Sequence, residues 1–103
     1  MSVVKLTKDN FKEEALGSTK PVLIDFFANW CGPCRMVSPI IDEIAKGNDH
    51  IKVCKVNVDE EEELAAQYGV MSIPTLVVLK DGKLVNKQVG AGSKEKILAL
   101  LDV

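Results

Sequence analysis

The chain has 103 residues, 47% hydrophobic and 27% charged, which suits one globular domain over residues 1–103 and excludes a disordered chain. Lys and Arg number 13 against 15 Asp and Glu, with no basic stripe to follow a phosphate backbone, so nucleic acid is not an expected partner. No apolar stretch is long enough to span a bilayer, and the start Met1-Ser2-Val3-Val4-Lys5 has no apolar signal region, so a monomeric cytoplasmic protein off the membrane is expected.

Thr7 reads as an N-cap, with Leu6 and Phe11 placed as a hydrophobic staple, for a first helix over about Lys8 to Leu16 that stops at Gly17. Val22 to Ala28 is an apolar run broken only by Asp25, the pattern of a central strand covered on both faces. A helical pattern follows, with Met36, Ile40 and Ile44 in one row, Val37 and Ile41 beside them, and Gly47 as the stop. Pro39 falls inside it and should kink it. Ile51 to Val58 reads as a second strand, which closes a parallel βαβ unit.

Asp59 is the expected cap of a short third helix, and Glu60 to Glu63 put negative charge at its positive end. Leu64 and Tyr68 supply its inner face. Thr75 to Leu79 and Leu84 to Val89 read as strands joined around Asp81-Gly82, a strong hairpin signal. Ser93 then caps a last helix with Ile97, Leu98 and Leu101 inward. The order is β-α-β-α-β-α-β-β-α, an α/β fold with a mixed sheet between helices, parallel strands first and an antiparallel hairpin last.

The three cysteines are odd in number and the chain reads as cytosolic, which argues against a disulfide framework, and a Cys-x-x-Cys pair in a reducing compartment points to catalysis or metal. Cys31-Gly32-Pro33-Cys34 stands where the strand ends and the second helix begins. Unpaired N–H groups and the positive helix end favour a thiolate there. Pro33 suits a first helical turn, Gly32 adds no bulk between the sulfurs, and i, i+3 spacing puts both on one face within bonding reach. Cys31, at the mouth of the helix, is the expected exposed nucleophile that forms a mixed disulfide. Cys34, one turn inside, is the expected resolving thiol.

Trp30-Cys31-Gly32-Pro33-Cys34-Arg35 resembles the active-site signature of the thioredoxin family. The similarity runs through Asp25-Phe26-Phe27-Ala28, Lys55-Val56-Asn57-Val58-Asp59, Tyr68-Gly69-Val70, Ser72-Ile73-Pro74-Thr75 and Val89-Gly90-Ala91, in order and spacing over nearly the whole chain. The resemblance implies the thioredoxin fold, a five-stranded sheet flanked by four helices. It also implies a general protein-disulfide reductase with no cofactor of its own, recharged by thioredoxin reductase with NADPH. It implies a cis bond between Ile73 and Pro74, and a docking surface of Trp30, Gly32, Pro33, Ile73, Pro74, Val89, Gly90 and Ala91. Asp25 would lie beneath Cys34, with Lys55 as its neighbour. Three positions depart from the family pattern: Phe27 where a second Trp is usual, Glu62 where Pro is frequent, and Met71 where a basic residue is common.

A carboxylate inside an apolar strand is costly to bury, so Asp25 marks a site, and burial should raise its pKa toward that of a base for Cys34. Lys55 reads first as a half-exposed strand residue, and Pro74 as an ordinary strand-start proline without the resemblance. Cys54, on a strand, reads as a buried inert thiol. A structural zinc site from Cys31, Cys34, His50 and Cys54 is the rival chemistry, and a binding module that keeps the fold without catalysis is another.

Overall fold

In a computed structural model that describes residues 3–102, the strand Val22–Phe27 (β2) forms the centre of a five-stranded sheet. Met1, Ser2 and Val103, the ends of the expected single domain, lie outside the described residues. Val4–Lys5 (β1), Lys52–Asn57 (β3), Thr75–Lys80 (β4) and Lys83–Val89 (β5) complete the sheet in the order β1-β3-β2-β4-β5. β2 runs parallel to β3 and antiparallel to β4, so the sheet is mixed as expected. The apolar run of β2 follows from this central place, because both its edges are paired and both its faces are covered.

Strand alternation sorts the core into two layers. Val22, Ile24 and Phe26 pack with Leu6, Phe11, Cys54, Val56, Leu64 and Val77 on one face. Leu23 packs with Val37, Ile41, Ile44, Val53, Leu76 and Ile97 on the other. Each large aliphatic side chain so buried contributes about 1.5–3 kcal/mol. The helices Gly32–Gly47 (α1) and Lys94–Ala99 (α3) cover the second face, and Glu62–Gln67 (α2) the first. Asp25 has the parity of Leu23, and its partners in register are Lys55 on β3 and Leu76 on β4. Its carboxylate therefore points toward the α1 face.

Several local expectations change. The first helix does not run from Lys8 to Leu16: a turn over residues 8–10 leads into a π-helical turn at Lys12–Leu16, closed by the Gly17 N–H donating to the Lys12 carbonyl at 2.9 Å. Thr7 does not cap this helical turn, whose N-cap is Phe11 with no side-chain bond, but it ties the turn before it. Its hydroxyl accepts from the Asp9 N–H, and its own N–H donates to Asn10 Oδ1 at 2.7 Å. Met36 is 73% exposed, and the inner row of α1 is Val37, Ile41, Ile44 and Ala45. α1 continues through Pro39, with Gly47 as its last residue. Asp59 caps nothing: α2 begins at Glu62 after a turn at residues 58–60, and the Asp59 N–H donates to Asn57 Oδ1 at 2.9 Å. The hairpin holds, with Asp81 (φ 52°) and Gly82 (φ 78°) both left-handed, as a two-residue turn between twisted strands requires. Ser93 caps α3, its hydroxyl accepting from the Lys96 N–H at 3.2 Å.

Candidate active site

β2 delivers the chain to the first turn of α1, and Cys31 is the residue between them. Its extended backbone (φ −87°, ψ 113°) makes it the N-cap, and its sulfur accepts the Cys34 N–H at 3.2 Å. Pro33 lies in the first turn, where no N–H is needed. Cys31 and Cys34 are joined in a disulfide with their Cα atoms 5.3 Å apart. The Ile73–Pro74 peptide bond is cis, and the Ile73 carbonyl oxygen lies 3.8 Å from the Cys31 sulfur. The site is thus assembled from two segments more than forty residues apart.

Cys31 is not an open thiol in this disulfide state. It is 5% exposed against 3% for Cys34, because Ala28, Phe27, Val58 and Ile73 pack around the pair. Exposure does not distinguish the two sulfurs, but their surroundings do. Cys31 lines an outward groove of about 470 Å³ with Trp30, Gly32, Pro33 and Ile73, joined by Val58, Val70, Met71 and Ser72. Cys34 lines a separate cavity of about 280 Å³ with Asp25, Lys55, Arg35 and Ser38. Val89, Gly90 and Ala91 do not line the groove. They flank it through the Gly90 N–H, which donates to the Pro74 carbonyl at 2.8 Å, and Val89 is exposed.

Asp25 is 4% exposed, and its Oδ1 has no hydrogen-bond partner. Burial pushes its pKa from the ordinary 3.8 to about 7, against the pull of the Lys55 charge and with a small push from Asp42. The carboxyl can therefore take or give a proton near neutral pH. Lys55 is exposed at the cavity, with its ammonium 5.8 Å from the centroid of the Phe27 ring. Cys54 lies in the other core layer, fully buried, with its thiol pushed up to about 12 by desolvation. The zinc set of Cys31, Cys34, His50 and Cys54 is therefore not gathered, and among the described residues no three His, Cys, Asp or Glu side chains form a metal-binding group.

Sequence reasoning missed the part played by Asp59. Its Oδ2 accepts the indole N–H of Trp30 at 2.9 Å, which holds a side chain that is 68% exposed. The signal would have been an acid placed shortly after the β3 end, across from a Trp at the β2 end. Trp30 is the sole tryptophan, so fluorescence reads this bond directly. Asp59→Ala is expected to shift Trp30 emission and lower its steady-state anisotropy, while stability changes by about 1 kcal/mol or less. Unchanged emission and anisotropy would show that the indole is held by packing alone.

No described helix is long and apolar enough to cross a membrane. The thioredoxin family model matches residues 2–103. The chain is 53% identical to thioredoxin 1 of Synechococcus elongatus over 99% of its own length and 97% of that protein. It is 47% identical to thioredoxin of Bacillus subtilis, covering 99% and 97%, and 44% identical to thioredoxin of Pseudomonas aeruginosa, covering 97% and 94%. Likeness at this level extends over nearly the full length of each partner, and it includes the segments that build the groove and the cavity. The chain belongs to the thioredoxin family, and it is a protein disulfide oxidoreductase whose redox-active bond joins Cys31 to Cys34.

Proposed function

We propose that the chain works as a general protein-disulfide reductase: one domain, monomeric and cytoplasmic, recharged by thioredoxin reductase at the expense of NADPH. The observation that carries the reading is the division of the two sulfurs between two cavities, Cys31 toward the substrate side and Cys34 toward a titratable carboxyl. In the dithiol form the Cys31 thiolate, favoured by the N–H groups of α1, attacks a substrate sulfur. A mixed disulfide forms, and one substrate thiolate leaves and takes a proton. Cys34 gives its proton to Asp25 across the inner cavity and attacks the Cys31 sulfur. The second substrate sulfur leaves as a thiolate and takes the proton that Asp25 had accepted, and the chain is left with the Cys31–Cys34 disulfide. The substrate has gained two electrons and two protons.

The other residues serve these steps. Lys55 holds positive charge beside Asp25, which keeps the carboxyl pKa from rising further. Gly32 borders the groove beside Cys31, and a Cβ there would point into open space, meeting no atom within 4 Å. Trp30, Pro33 and Ile73 offer apolar walls to a substrate chain, and Val89, Gly90 and Ala91 extend that surface beside them, while Pro74 is buried beneath and lines no part of the groove. Insulin reduction coupled to NADPH oxidation by thioredoxin reductase tests the reading. Steady turnover is expected. No turnover with either thioredoxin reductase or dithiothreitol as donor would sink it.

A further inference from the structure

Successive residues of a strand point to opposite faces, and on the edge strand β5 two neighbours each end on a helix terminus. Asn86 donates through Nδ2 to the Leu100 carbonyl behind α3, at 3.3 Å. Lys87, on the opposite face, donates through Nζ to the Tyr68 carbonyl at 2.9 Å and the Gly69 carbonyl at 3.2 Å. These two carbonyls stand directly behind α2. Gly69 is left-handed there (φ +63°). Its N–H donates to the Ala66 carbonyl at 3.0 Å, and the Val70 N–H donates to the Ala65 carbonyl at 2.9 Å. These two hydrogen bonds satisfy the Ala65 and Ala66 carbonyls in the last turn of the helix. It leaves those of Tyr68 and Gly69 to the Lys87 ammonium, a cation at the negative end of the helix.

From Val70 the chain passes straight into the groove, where Val70, Met71, Ser72 and Ile73 form one wall. Packing does not hold the middle of this wall, since Met71 is 97% exposed and Ser72 is exposed too. Hydrogen bonds hold its ends. At the far end the Thr75 hydroxyl donates to the Ser72 carbonyl at 2.7 Å. At the near end stand the helix closure and Lys87.

We propose that Lys87 is a positioning residue for substrate docking: its ammonium on the Tyr68 and Gly69 carbonyls sets the wall that carries Met71, Ser72 and Ile73 beside Cys31. It touches neither sulfur. Its loss should therefore weaken binding of a protein substrate and leave the thiol chemistry alone. The inference rests on the groove being the substrate side of the reductase proposed above.

The test measures insulin reduction against insulin concentration for the wild type, Lys87→Met, Lys87→Arg and Lys83→Met. Lys83 is an exposed lysine at the other end of β5, so its variant controls for lost charge. The reaction of reduced protein with a small aromatic disulfide reports on Cys31 without the groove. Amide exchange at residues 70–73 reports on the wall itself. Lys87→Met is expected to raise KM about two- to fivefold, the strength of one cation at a helix end. Its kcat and small-disulfide rate should stay at the wild-type values, and its exchange at residues 70–73 should quicken. Lys87→Arg should restore KM, and Lys83→Met should match the wild type. A wild-type KM in Lys87→Met, an equal rise in Lys83→Met, or exchange unchanged at residues 70–73 would overturn the proposal. Absence of wild-type turnover would instead overturn the reductase reading, so the two failures are distinct.

Discussion

Reduced Cys34→Ser protein mixed with insulin is expected to stop at a covalent adduct through Cys31, with turnover lowered by at least roughly a thousandfold. That is the order expected when one member of a pair acting as a unit is removed. The first attack needs only the Cys31 sulfur, which lines the outward groove. Release needs a second sulfur, and Cys34 is the one that bonds to Cys31. Cys54 cannot substitute, since it is fully buried in the other layer with its thiol pushed up to about 12. Peptide mapping of the adduct is the measurement. A bond to Cys54, or turnover near that of the wild type, would refute the division of roles.

Asp25→Asn is expected to act on stability and on rate together. The Asp25 carboxyl has a folded pKa of about 7 against an ordinary 3.8, because burial disfavours its charge. Below about pH 4 both folded and unfolded chains hold the proton, and Asp25 contributes no pH dependence. Between about pH 4 and pH 7 the unfolded chain releases it while the folded chain keeps it, so stability falls as pH rises. Above about pH 7 the whole penalty is present, on the order of 4 kcal/mol at about 1.4 kcal/mol for each pH unit. The neutral amide of the Asp25→Asn variant carries no such penalty. Urea denaturation of the oxidised proteins should show the variant gaining on the parent as pH rises through this window, and no further above it. Parallel stability profiles would mean that Asp25 is ionised at its ordinary pKa. On the proposed mechanism the resolving step in the same variant would lose its base and should slow by roughly a hundredfold near pH 7. Stopped-flow decay of the mixed disulfide reads that rate, and a wild-type rate would remove Asp25 from the mechanism.

Much of the site was legible because its signals are local. The i, i+3 cysteines with Pro between them need only a helix start to become a bonded pair, and α1 begins at Gly32. Asp25 stood out as one charge in an apolar run, and burial explains both the run and its raised pKa. Asp81-Gly82 set its turn through two left-handed residues that few other pairs adopt so readily. Errors arose where a residue had two uses. Asp59 looks like a helix cap in isolation, but its carboxylate bonds the indole of Trp30. Met36 shares the helical spacing of Ile40 and Ile44, and only the angle of α1 on the sheet puts Val37 inside and Met36 outside.

The sequence by itself determined the strand and helix order, the reactive pair and the costly carboxylate, because spacing, capping and burial preference act over a few residues. The tertiary structure decided which cavity each sulfur faces, which residues build the groove walls, and that Lys87 reaches the end of α2. Those outcomes depend on register and on contacts between segments roughly twenty to forty residues apart. At that separation chain periodicity carries no information, and only the packed sheet brings the groups together. For Cys31 and Cys34 the distinction is concrete: their bond was readable from four residues, but their separate surroundings were not.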